Sequence, residues 1–149
     1  MPRTSAGLLP YRHDGERTLV FVARMGGPLW ARRERAWSVV KGEHDADEDP
    51  LAAAEREFRE EVGVDAPPGP RTDLGEVRQS GGKRVHVWAV EAGAELAFVA
   101  SETFEMEWPP RSGRRQSFPE VDTAQWLDLD AARECLVAAQ TDFLDRLPR

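Results

Sequence analysis

A chain of 149 residues with 40% hydrophobic content is long enough to close one compact domain around a real core and too short for two of ordinary size. Its net charge of −7 argues against nonspecific nucleic-acid binding through a basic surface. The single cysteine, Cys135, excludes an internal disulfide and a cysteine-rich zinc site.

With no charged-then-apolar leader and no apolar run of about 18 residues, the expectation is one cytoplasmic domain over residues 1–149 without a membrane span. Ser5 to Leu9 is a short apolar segment, and Thr18 to Arg24 (TLVFVAR) is a strand of β-branched and aromatic residues. His13-Asp14-Gly15-Glu16 is the hairpin turn between them, with His13 solvated. Gly26-Gly27-Pro28 ends the strand. Leu29 to Arg35 then sets Trp30 beside Arg32 and Arg33, a pairing that suits either a stacked base with a held phosphate or partly buried packing. Ala36 to Val40 (AWSVV) predicts a strand leading into Lys41-Gly42.

The densest pattern runs from Gly42 to Val64, GEHDADEDPLAAAEREFREEVGV. Asp49-Pro50 is a helix start, because an aspartate accepts the first orphan N–H groups and proline suits the first helical position. Gly63 is a left-handed stop, so a helix is predicted from Pro50 to Val62. Leu51, Phe58 and Val62, with Ala54 at the edge, fall on one arc and form the buried stripe. Glu57, Glu60 and Glu61 fall on a second arc of about 100° beside that stripe. Solvated like charges at this spacing repel by a few tenths of a kcal/mol, but at about 6 Å in an effective dielectric near 20 the figure is about 3 kcal/mol. Basic partners are scarce: Arg56 reaches Glu60, while Arg59 pairs with Glu55 on the outer side. A hard divalent cation such as Mg²⁺ or Mn²⁺ would remove the penalty. A solvated acidic face is the bland alternative.

Asp65 to Arg71 is a proline- and glycine-rich loop. Leu74 to Gln79 and Lys83 to Glu91 are strands joined by Ser80-Gly81-Gly82, with Val85, Val87 and Ala89 on one face and His86, Trp88 and Val90 on the other. Lys83, at the lip, suits a phosphate contact and a solvated strand end equally. Ala94 to Ala100 is ambiguous. Ser101 to Glu120 (SETFEMEWPPRSGRRQSFPE) reads as a long ordered loop anchored by Phe104, Trp108 and Phe118. Thr123 to Leu127 is a strand, and Asp128 or Asp130 caps a helix through about Ala139 whose buried stripe is Ala132, Leu136 and Ala139. Cys135 packs in that helix, and Thr141 to Leu147 forms a last short one. Strands before, between and after two principal helices imply a mixed sheet covered on both faces.

Gly42, Glu48, Arg56-Glu57, Phe58, Glu60-Glu61, Gly63 and Val64 fill the pattern G-x5-E-x7-R-E-U-x-E-E-x-G-U, with U apolar. In this the chain resembles the Nudix hydrolase family. Every specified position matches, against a chance on the order of 10⁻⁹ per starting point. The resemblance implies an α+β fold, an α/β/α sandwich around a mixed β-sheet, with the motif as loop-helix-loop. It also implies hydrolysis of a nucleoside diphosphate linked to another group, by water attack at phosphorus with Mg²⁺ or Mn²⁺. No internal nucleophile competes with water, since Cys135 has no nearby histidine and no serine sits in a nucleophile elbow.

Carried over position by position, Glu60 and Glu61 are metal ligands, and Glu57 is a ligand or the base that activates water. Arg56 orients a neighbouring carboxylate, and Glu48 is a structural partner. Gly42 serves a tight turn, with a carbonyl at or before it on the metal. Family members add one carboxylate from outside the motif, here Glu120, with Glu105 and Glu107 behind it. Trp37-Ser38 and Lys41-Gly42-Glu43 resemble the subgroup that cleaves dinucleoside polyphosphates, although Val40 stands where that subgroup has proline. Its downstream tyrosine has no counterpart, the only tyrosine being Tyr11, so Trp30, Phe104 or Phe118 would substitute. Candidate substrate contacts are Lys41, Trp30, Lys83, Arg111, Arg114 and Arg115, and the arginines favour a polyphosphate chain. The run containing EWPPRSG and FPE is similar to bacterial Nudix pyrophosphohydrolases. The partner implied is a small-molecule nucleotide, either a dinucleoside polyphosphate or an NTP, and not nucleic acid or a membrane. A nucleotide-sensing module without hydrolysis and sanitation of damaged NTPs are the alternatives.

Overall fold

The computed structural model describes residues 4–148. In chain order these form β1 (Thr4–Asp14), β2 (Arg17–Met25), β3 (Trp37–Ser38), β4 (Val40–Glu43), α1 (Pro50–Val62), β5 (Thr72–Arg78) and β6 (Arg84–Glu91). They continue through β7 (Thr103–Glu107), β8 (Arg115–Pro119), β9 (Val121–Asp128), α2 (Leu129–Cys135) and α3 (Thr141–Asp145), with single 3₁₀ turns at Ser80–Gly82 and Ala138–Gln140. The mixed sheet is ordered β3-β2-β1-β6-β5, with β4 also on β1 and β9 also on β2. β1 lies parallel to β6 and antiparallel to β2 and β4.

Strand alternation sends side chains to two separate cores. On one face Leu9, Val20, Val22, Val85 and Val87 pack with Ala132, Leu136, Phe143 and Leu144 of the carboxy-terminal segment. On the other, Ala6, Leu8, Phe21 and Ala23 pack with Ala53, Ala54, Phe58 and Val62 of α1. This is an α/β/α sandwich on a mixed sheet, as expected.

Three sequence expectations need correction. The Ser101 to Glu120 run is not a loop: β7 and β8 pair antiparallel from Thr103↔Pro119 to Glu107↔Arg115, with Phe104 and Phe118 facing across the hairpin at 6.0 Å between ring centroids. Three prolines hid the strand pattern, but they sit in the turn and at the last strand position, where a missing N–H breaks no ladder. AWSVV is split into β3 and β4, which pair with β2 and β1 respectively. α2 stops at Cys135 because Leu136 turns extended and bridges to Trp37, whose carbonyl accepts the Val137 N–H at 2.9 Å. Arg35 donates to the freed carbonyls of Arg133 and Leu136 at 3.0 and 2.8 Å, so a side chain distant in sequence completes this end.

Candidate active site

The site is built on α1, whose ends behave as the sequence dictates. Asp49 Oδ2 accepts the Ala52 N–H at 3.0 Å, Pro50 takes the first turn, and Gly63 closes the helix at φ 87° with its N–H on the Arg59 carbonyl. A Cβ at Gly63 would also press on the Ala100 backbone. Burial of Ala53, Ala54, Phe58 and Val62 sets the helix's rotation; Leu51 is only half-buried, and Glu61 takes a place in the buried set instead.

That rotation turns three acids toward β4. Oxygens of Glu57, Glu60 and Glu61 lie within 4.8 Å of one another. Gly42 lies inside β4, paired with Ala6, and is not part of a turn. Its glycine is required for another reason: any Cβ there would overlap the Glu57 carboxylate, which lies directly against the strand backbone. Arg56 holds the outer side of the cluster. Its Nε and Nη2 fork onto the two Glu48 oxygens at 3.2 Å each, and Nη1 reaches Glu57 at 3.1 Å and Glu60 at 3.3 Å. These pairs hold the guanidinium pKa above its ordinary range, the Glu48 hydrogen bonds most of all. Arg59 does not pair with Glu55; it reaches Asp65, while Glu55 pairs with Arg71.

Two further acids arrive through backbone contacts. The Glu102 N–H donates to the Glu60 carbonyl and the Glu120 N–H to the Glu102 carbonyl, both at 2.9 Å. Ser101 Oγ accepts the Val121 N–H at 3.2 Å, tying the same crossing to the start of β9. The structure therefore brings Glu120 beside the cluster and adds Glu102, which sequence reasoning missed. Glu105 and Glu107 lie on the exposed face of β7. Nothing local separates Glu102 from them; the Val99 and Ala100 N–H groups, both on the Val62 carbonyl, do.

Electrostatics at the cluster are unfavourable as it stands. Glu61 is 8% exposed, and its buried Oε2 has no hydrogen-bond partner among the described residues. Burial first, then the charges of Glu120, Glu57, Glu102 and Glu60, push its carboxyl up to about 8. Burial and Glu60 raise Glu57, and burial and Glu102 raise Glu120.

Glu57, Glu61 and Glu120 form one wall of a cleft of about 670 Å³ that also contains Lys41, Lys83, Trp30, Arg33 and Gln79. Burial chiefly, then the neighbouring Lys83, lowers the Lys41 pKa. Arg33 stacks over Trp30 at 4.9 Å from the ring centre. The structure thus gathers Gly42, Lys41, Lys83 and Trp30 with the acids. It does not gather Arg111, Arg114 and Arg115, which are exposed around the β7–β8 turn and line no part of the cleft. Phe104 and Phe118 likewise pack on each other.

A NUDIX domain model matches residues 1–147. The chain belongs to the Nudix hydrolase family. Solved Nudix structures share the fold at low identity. The Caenorhabditis elegans Ap4A hydrolase has a TM-score of 0.59 and 19% identity, over 98% of this chain and 96% of that one. The Nudix domain of Shewanella oneidensis NrtR, complexed with ADP ribose, has a TM-score of 0.63 and 13% identity, over 98% and 86%. A MutT/nudix family protein from Enterococcus faecalis has a TM-score of 0.59 and 15% identity; it aligns with 86% of this chain, which spans 44% of its length. No curated protein matches. The Nudix motif therefore lies on α1, with its first glycine in β4.

The Nudix cluster fits a hard divalent cation. Its donors are all carboxylate oxygens, one of them buried and unpaired, and Arg56 neutralises only the outer rim.

Proposed function

We propose that this Nudix hydrolase is a divalent-metal-dependent pyrophosphohydrolase that cleaves a diphosphate linkage in a nucleoside polyphosphate. The observation that supports this best is one cleft lined both by three carboxylates, Glu57, Glu61 and Glu120, and by two lysines, Lys41 and Lys83. Such a cleft can take phosphate oxygens on Lys41 and Lys83 while the acids hold cations against them.

Glu57, Glu60 and Glu61 would hold the cation, with Glu120 and Glu102 beside them. When bound, Mg²⁺ or Mn²⁺ polarises phosphoryl oxygens and acidifies water. The chain's own residues supply the rest. Arg56 holds Glu57 and Glu60 in place, and Gly42 lets the Glu57 carboxylate reach the strand. Burial and the neighbouring Glu60 raise the Glu57 carboxyl pKa, and Glu57 would serve either as a cation ligand or as the base that accepts a proton from an attacking water. Lys41 and Lys83 offset charge on the phosphate chain, and Trp30 offers an aromatic surface for a base. Among the similar structures one is an Ap4A hydrolase and another holds ADP ribose, and both compounds contain a phosphoanhydride linkage attached to a nucleoside.

The test is a panel of nucleoside triphosphates, dinucleoside polyphosphates and nucleoside diphosphate sugars with Mg²⁺ or Mn²⁺. Products identified by mass in ¹⁸O-labelled water would locate the attacked phosphorus. Label in a released phosphate or nucleotide is the expected result, and binding without any cleavage would overturn the reading in favour of a sensing module.

A further inference from the structure

The cleft's far end contains a polar relay that the acid cluster does not use. Gln140 is fully buried. Its Oε1 accepts the Val39 N–H at 2.8 Å, and its Nε2 donates to Ser38 Oγ at 3.0 Å and Gln79 Oε1 at 2.8 Å. A backbone N–H can only donate, so Val39 fixes which end of the Gln140 amide is oxygen. Ser38 agrees, because its proton is spent on the Val39 carbonyl at 2.7 Å and its oxygen is left to accept. Both Gln140 protons are then committed, and the second obliges Gln79 to present oxygen to it.

Gln79 is thereby oriented in turn. Its backbone is clamped at the β5–β6 connection, with its N–H on the Lys83 carbonyl at 2.7 Å and its carbonyl on the Gly82 N–H at 3.1 Å. Its Nε2 donates to no group among the described residues and is not sealed from solvent. Gln79 lines the cleft together with Lys83 and Trp30. A free glutamine can turn either end to a ligand and pairs well with adenine's donor-acceptor edge. One locked by a buried partner offers a donor.

We propose that Gln79 is a specificity-determining residue that favours a 6-oxopurine over a 6-aminopurine in the cleft, with Gln140 as the positioning residue that sets its amide. The proposal rests on the nucleotide reading above. Gln79 Nε2 donates to a ring carbonyl at position 6 and meets an exocyclic amino group donor to donor.

The experiment is calorimetric titration of the full chain with inosine and adenosine 5′-triphosphates in Ca²⁺, which share their phosphates and differ at position 6. Wild type should bind the inosine nucleotide about tenfold more tightly or better. Gln79→Ala should bring the ratio within about twofold. Gln79→Glu should reverse it, since the carboxylate still accepts from Gln140 and now faces the base with an acceptor. Gln140→Met should also collapse the ratio; should it fail to fold, the two exposed-side variants carry the test. Equal binding in wild type, a ratio that survives both Gln79 variants, or no binding of either nucleotide would overturn the proposal. Base-selective binding with no hydrolysis in Mg²⁺ would overturn the hydrolase reading alone.

Discussion

Glu61→Gln separates the electrostatic account of the cluster from simple packing. Without metal, Glu61 holds its proton more tightly folded than unfolded, so its contribution to stability is full below about 4.5 and is lost as pH rises through about 8. Across that interval, at about 1.36 kcal/mol per pH unit, the loss is on the order of 4–5 kcal/mol before neighbouring acids relax. Glutamine keeps the shape and does not titrate. In EDTA the variant should melt with wild type at pH 5 and on the order of 8–20 °C above it at pH 9, taking about 2–4 °C per kcal/mol for a chain of this size. Mg²⁺ should raise the wild-type melting temperature at pH 9 and leave the variant nearly unmoved. Turnover should meanwhile fall about a hundredfold or more, as expected when several kcal/mol of charge stabilisation is removed. Scanning calorimetry at the two pH values, with and without metal, reads the first effects, and product release on the best substrate reads the last. Melting temperatures that stay parallel across pH, or turnover within threefold of wild type, would refute the reasoning.

Other substitutions test the surrounding parts. Gly42→Ala should displace the Glu57 carboxylate and lower kcat on the order of a hundredfold, with the far-UV spectrum retained; unchanged kinetics would show that Glu57 has no role from that position. Arg56→Lys cannot keep the fork onto Glu48 while reaching Glu57 and Glu60, and should weaken Mn²⁺ binding by about 10- to 100-fold in a paramagnetic titration. Phe58→Ala removes a fully buried ring between α1 and the sheet and should cost about 3–5 kcal/mol in urea unfolding. A value below about 1 kcal/mol would mean that α1 is held by something other than its apolar face.

The helix carrying the Nudix motif was legible residue by residue, because its determinants are local: an aspartate cap, a proline at the first turn, a glycine stop and a period near 3.6. The same periodicity put Glu57, Glu60 and Glu61 on one edge, and strand alternation separated Val85, Val87 and Ala89 from His86 and Trp88. How far each acid is buried was not local. Glu61 takes its high pKa from the cover of other elements and from Glu120 and Glu102, which lie 59 and 41 residues further on. Glu102 reaches the helix only because its N–H meets the Glu60 carbonyl, a contact that no spacing announces. Lys41 and Lys83, and the Val39–Gln140–Gln79 relay, are likewise assembled across the sheet. The Arg111 to Arg115 cluster shows the converse: its charges suggested a phosphate contact, but around the β7–β8 turn these arginines line no part of the cleft. Sequence determined which carboxylates share one edge of α1, because a helix presents them at fixed angles. Tertiary structure decided which are desolvated, what faces them and which end of the Gln79 amide is held by Gln140, because those depend on chain segments that sequence distance leaves unrelated.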